Sequence, residues 1–107
     1  MTPTERTLRH LRSLGYLPAV VERWNPHARI RQDLWGWCDV LAVREGEVLA
    51  VQCTSHGVAA RVRKVLASAT IAPVLAAGVR VEVHGWTKRA NGRFELRVEK
   101  LTRGGFA

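Results

Sequence analysis

Leu8, Leu11 and Leu14 recur at three-residue spacing near the start of the chain, while Arg6, Arg9 and Arg12 fall on another face. That period predicts an amphipathic helix with a basic stripe along its side. Thr2 is placed to cap it, Pro3 occupies the first helical position, Glu5 follows three residues after the cap, and Gly15 supplies the stop. The apolar, partly β-branched run YLPAVVERW from Tyr16 to Trp24, closed by the turn signal Asn25-Pro26, predicts a short strand. After the polar, cationic stretch from His27 to Gln32 and the segment DLWGWCD, Val40 to Val43 form a nearly continuous apolar run. Arg44-Glu45-Gly46 reads as a tight turn and Val48 to Cys53 as a second apolar strand, so the pair predicts a buried hairpin.

Beyond Ser55-His56-Gly57, the positions Val58, Val62, Val65, Leu66 and Ala69 carry helical spacing in a segment that runs to Ala77, which Pro73 should kink or divide. Val79, Val81 and Val83 alternate with Arg80, Glu82 and His84, the period of a half-buried strand ending near Trp86. A turn at Ala90-Asn91-Gly92 leads to a last hairpin arm through Phe94, Leu96, Val98 and Leu101, partly exposed as an edge strand would be. The order α, β, β, β, α, β, β predicts an α/β domain whose central mixed sheet has about five strands flanked by helices.

Length and composition narrow this picture. At 107 residues the chain is expected to form one domain, and with hydrophobic residues at 47% and charged residues at 24% it can bury a modest core. Seventeen Lys and Arg against nine Asp and Glu give a formal net charge of +8, which points to a polyanionic partner, nucleic acid or an anionic surface. Fourteen of those cations are Arg, a bias that genome composition also produces. No apolar stretch has the length of a membrane span and the N-terminus lacks the apolar core of a secretion signal, so a soluble, intracellular protein without membrane attachment is expected. Cys38 and Cys53 form neither a CxxC nor a zinc-spaced cluster and read as small buried hydrophobes.

The most informative feature is that the chain has only two aspartates, Asp33 and Asp39, both just before the central hairpin. A carboxylate opening one strand and a polar side chain ending its antiparallel neighbour can hold a hard divalent cation between them, since Mg²⁺ takes about six oxygen donors and keeps several waters. Asp39 opens the hairpin; Gln52, Cys53 and Thr54 close it, with Gln52 and Thr54 on one face and Cys53 on the other. Together TERTLRHLRSLGY, GWCDVLAV, EVLAVQCTS and VAARVRKVL, over about residues 4 to 66, resemble in order and spacing the PD-(D/E)xK nuclease superfamily, in particular the small archaeal-type Holliday junction resolvases and related restriction-endonuclease-like nucleases.

The resemblance implies a restriction-endonuclease-like fold and a Mg²⁺- or Mn²⁺-dependent, structure-selective DNA endonuclease of phage or mobile-element type. A homodimer follows from it as well, because symmetric cutting of two strands uses two sites. Residue by residue, Asp39 matches the metal-binding aspartate and Glu5 the first-helix acid; Gln52 stands where the second carboxylate belongs and Thr54 where the catalytic lysine belongs. These two are departures from the pattern: Gln offers an oxygen without charge, and Thr has no ammonium to set against a phosphate. Cys38 also replaces the proline before Asp39. Asp33 is a candidate to restore negative charge, the Cys53 carbonyl is a further candidate ligand, and Lys64 or Arg61 on the following helix are candidates for the missing cation. Arg29, Arg31, Arg61, Arg63 and Lys64 are the cations expected around a scissile phosphate.

Each of these residues has a structural alternative. A capping box accounts for Glu5, a turn for Asp33 or Asp39, and a strand-end or cap hydroxyl for Thr54. Trp35 and Trp37 alternate about Gly36 and are expected to splay, either into the core or, where exposed, onto a base. Among His27, His56 and His84 only His56 falls beside the candidate site. The rival function classes are a nuclease-fold module that binds nucleic acid without cutting it and a protein-interaction subunit that meets an acidic partner.

Overall fold

A computed structural model describes residues 1–102 and the backbone of 105–106. Helix α1 (Pro3–Ser13) begins with the expected capping box, in which the Glu5 amide donates to Thr2 Oγ1 and the Thr2 amide to Glu5 Oε2. It is followed by β1 (Leu17–Val20), β2 (Arg23–Asn25), β3 (Ile30–Gln32), β4 (Val40–Arg44) and β5 (Glu47–Thr54). Helices α2 (Val58–Leu66) and α3 (Ile71–Ala76) then lead to β6 (Arg80–Lys88), β7 (Phe94–Thr102) and the two-residue β8 (Gly105–Phe106). The main sheet has the order β1-β4-β5-β6-β7-β8, while β2 and β3 pair only with each other. β5 and β6 are parallel, joined through α2 and α3, and the other neighbours are antiparallel, so the sheet is mixed.

Helices lie on both faces. Leu11 and Tyr16 pack with Val40, Ala42, Leu49 and Val51 on the α1 face. On the other face Val62, Val65, Ile71 and Val74 cover Ala50, Val81, Val83 and Leu101. Strand alternation thus divides β5 between two cores, which is why its last six residues are all buried.

Three expected elements differ from what forms. The run from Tyr16 to Trp24 is two strands: the Val21 amide donates to the Asp39 carbonyl at 2.9 Å and carries the β1–β4 register one residue past Val20, and from Arg23 the chain pairs with β3 instead. The cationic stretch after His27 contains β3, so residues 23–32 form a ribbon. The helical segment to Ala77 is divided as expected, but the break falls at residues 67–70 and Pro73 lies in the first turn of α3, where its missing N–H removes no intrahelical bond. The polar side of β6 is also not solvated: His84 is 1% exposed beneath α1, its Nδ1 3.3 Å from Thr7 Oγ1 and its Nε2 2.8 Å from Glu82 Oε1. Trp86 Nε1 donates to the same Thr7 hydroxyl.

Gly85 fixes where α2 docks. A Cβ built there would overlap Val58 Cγ2 at the start of α2. Gly85→Ala is expected to cost about 1–3 kcal/mol through forced displacement, and Val58→Ala in the same chain should recover part of that loss in denaturant unfolding. Equal losses from Gly85→Ala with and without Val58→Ala would contradict this packing.

Candidate metal centre

The end of the β4–β5 hairpin positions the site. The Asp39 amide donates to the Val51 carbonyl at 2.9 Å and the Asp39 carbonyl accepts from Val21, so its backbone is pinned between β1 and β5. Its side chain is buried, and two donors converge on Oδ2: Gln52 Nε2 at 2.7 Å and the Cys53 amide at 2.8 Å. The acid and the amide that the sequence set opposite each other are therefore in direct contact.

The acids gathered here are Glu22, Asp33 and Asp39, each with a carboxylate oxygen within 4.8 Å of the others. The ribbon explains that gathering. Arg23 pairs with Gln32 at its base, so the next residues outward, Glu22 and Asp33, face each other where the ribbon joins the sheet. The Asp33 backbone carbonyl accepts from the Gly36 amide in the turn that leads to Asp39. Glu22 is the residue that sequence reasoning missed. It sits inside an apolar run with no motif around it, and only the pairing of β2 with β3 brings it to Asp33.

These groups line an open, polar cleft of about 320 Å³ together with Gln52, His56 and Arg61, which α1 borders through Pro3 and Thr4. Glu5, expected to complete the metal shell, does not line it. One residue further round the helix from Thr4, its carboxylate is turned back onto the Thr2 amide, as a capping box requires. Thr54 reaches the cleft wall, but its hydroxyl donates to the His56 carbonyl and accepts from the His56 amide in a tight turn. Of the two helix cations considered, Arg61 lines the cleft and Lys64 does not. Arg63 and Lys64 are exposed on α2 and Arg29 on the ribbon, whereas Arg31 Nη1 lies 3.3 Å from Glu22 Oε1 at the rim.

Burial pushes the Asp39 carboxyl up to about 6, and the neighbouring Asp33 carboxylate adds to the rise against the Cys53 amide and Gln52, which favour the charged form. Burial likewise raises the Cys38 and Cys53 thiols to about 12, so both are inert, as expected for small core residues. Trp37 is buried with Nε1 donating to Thr70 Oγ1 at 2.9 Å, and Trp35 is partly exposed. The two rings do not splay: residues 34–38 close a turn through the Cys38 amide to the Leu34 carbonyl, which leaves the ring centroids 5.8 Å apart.

The donor set fits a hard divalent cation. It consists of oxygens, three of them ionisable, and among the described residues the buried Gln52 Oε1 has no hydrogen-bond partner. A buried acceptor without a donor is costly and calls for a cation or a proton donor opposite it. Of the three gathered carboxylates only Glu22 has an ion-pair partner, Arg31, among the described residues.

A pH dependence follows. Asp39 titrates at 3.8 when unperturbed and at about 6 in the fold. The native state therefore holds this proton more tightly, and the Asp39 contribution to stability falls as pH rises from about 4 to 6, then levels off. In EDTA, Asp39→Asn should remove that falling component from the stability profile, read as the difference between wild-type and variant unfolding curves at pH 4.5 and 7. A constant difference between the two pH values would contradict the assignment.

No protein-family model matches the chain, and no curated protein or solved structure matches it either. Among the described residues no helix is long and apolar enough to cross a membrane.

Proposed function

We propose that the chain is a divalent-metal-dependent DNA endonuclease of restriction-endonuclease-like build, similar to the small Holliday junction resolvases, that acts as a homodimer. The observation that carries this reading is buried Asp39, held by Gln52 and the Cys53 amide, with Glu22 and Asp33 within 4.8 Å and an unpartnered amide oxygen beside them. Glu22, Asp33 and Asp39 would hold Mg²⁺ or Mn²⁺ with Gln52 Oε1 as a neutral donor; the bound cation supplies Lewis-acid activation of water and neutralises phosphate charge. Arg61, across the cleft, takes the place of the lysine that Thr54 cannot provide and meets the phosphate with a permanently charged, bidentate group. The net charge of +8 draws the polyanion to the surface and makes affinity fall steeply with salt.

A second reading is a module of the same build that binds DNA without cleaving it. It is favoured by one observation, that the Thr54 hydroxyl is fully engaged by His56 and no lysine lines the cleft among the described residues. A panel of duplex, flap and four-way-junction substrates with Mn²⁺, at low salt, separates the two. The nuclease nicks a substrate in Mn²⁺ and not in EDTA, Arg61→Ala lowers the rate by about 10²-fold or more, and Lys64→Ala leaves it within about twofold. Binding that is equal in Mn²⁺ and EDTA with no product from any substrate sinks the nuclease reading.

A further inference from the structure

The β2–β3 ribbon is a preformed projection whose surface the metal centre does not account for. Between Arg23 and Gln32 it carries Arg23, His27, Arg29 and Arg31 and no acid. Its tip is braced from within: Asn25 Oδ1 accepts from the His27 and Ala28 amides, and Arg29 holds a left-handed backbone at φ 54°. Residues opposed in an antiparallel pair share a face, and the face alternates along each strand. Trp24 is opposed to Arg31, so the two lie side by side. Two residues back from Trp24 is Glu22 and two residues on from Arg31 is Asp33, which places the acid pair on the same face. The contact of Arg31 with Glu22 agrees with that alternation.

Trp24 belongs to neither core cluster and is 57% exposed, although indole is among the costliest groups to leave in water. Trp35, by contrast, leans on Trp37. A bare indole beside a guanidinium that Glu22 holds from the base of the arm, on a ribbon whose residues 23–32 include no acid, is an arrangement that stacks a nucleobase and grips the phosphate next to it. Two residues of extended strand span roughly 7 Å, so the stacked base would sit about one nucleotide from the acid cluster. Every base has a π face, but a base inside a continuous duplex has none free, which selects single-stranded or branched DNA.

We propose that the ribbon is a stacking arm for an unpaired nucleotide of single-stranded or branched DNA, with Trp24 as the base platform and Arg31 as its phosphate contact. The inference rests on the nuclease reading for where the cut would fall, not for the binding itself.

The test uses the full chain at low salt in EDTA and an oligonucleotide bearing 2-aminopurine, whose fluorescence is quenched by stacking. The wild type should quench the single-stranded probe. Trp24→Ala should abolish the quench and weaken binding about 5- to 100-fold, Trp24→Phe should restore most of it, and affinity for a blunt duplex should change less than about twofold. Trp24 is exposed, so an unchanged unfolding curve shows that the variants fold. Wild-type quench in Trp24→Ala, an equal loss on duplex, or no oligonucleotide binding by the wild type overturns the proposal. Asp39→Asn separates the two readings. If it retains the Trp24-dependent quench while no variant or wild type ever cleaves, the stacking arm stands and the nuclease falls. If the wild type cleaves and Trp24→Ala quenches normally, the reverse holds.

Discussion

Trp37→Ala is expected to destabilise the protein by about 3–5 kcal/mol, a large share of the roughly 5–15 kcal/mol that holds a domain of this size folded. Trp37 is 1% exposed, the bulkiest of the fully buried side chains, and it packs with Val62, Val65 and Val74 between the sheet and helices α2 and α3. Removing it leaves a cavity that a sheet-and-helix sandwich closes only in part, and it deprives the Thr70 hydroxyl of its indole donor. The consequence extends to the site. Trp37 anchors the turn whose two ends are Asp33 and Asp39, so the variant should also bind Mn²⁺ more weakly wherever it remains folded. Trp37→Phe keeps most of the volume and should lose less than half as much. Denaturant unfolding followed by circular dichroism reads both; a Trp37→Ala midpoint within error of the wild type would mean that the core does not depend on this ring.

Asp39→Asn should have the largest effect on function and the opposite effect on stability. The asparagine carbonyl can still accept from the Cys53 amide, so the hairpin end survives, but the charge that would hold a cation is gone. Mn²⁺ affinity should fall at least about 100-fold, since loss of outer-shell partners alone costs about 10- to 100-fold, and any metal-dependent cleavage should fall by about 10³-fold or more. In EDTA at pH 7 the same variant should be more stable than the wild type, because it removes an ion held in a buried place next to Asp33. A residue that weakens the fold while serving a site is the usual stability-for-function exchange. Asp39→Asn with lowered stability in EDTA and unaltered Mn²⁺ affinity would assign Asp39 to the fold alone.

The contrast between what the sequence disclosed and what it hid has a physical basis. The β4–β5 hairpin was legible because its turn residues and two apolar runs are local signals, and its register then follows, which put Asp39 level with Gln52. The capping box was legible for the same reason, and it decided Glu5 in favour of the helix end. The ribbon was hidden because Trp24 and Ile30 look like core residues yet stand in solvent, and because no local signal marks where the chain leaves its pairing with β4 and takes up pairing with β3. Glu22 went unseen with it. His84 and Glu82 carry a polar alternation indistinguishable from a solvated strand face, and only α1, through Thr7, makes that face a second interior. Local chemistry could be read; pairings between distant segments could not.

The central claim is that one divalent cation binds among Glu22, Asp33, Asp39 and Gln52. Anomalous scattering from a Mn²⁺-soaked crystal of the full chain tests it most directly. The account predicts a single strong peak in the cleft within about 2.5 Å of an Asp39 carboxylate oxygen and of at least one oxygen of Glu22 or Asp33, absent from Asp39→Asn crystals soaked alike. A cleft without a peak at saturating Mn²⁺, or a peak that persists in Asp39→Asn, would contradict it.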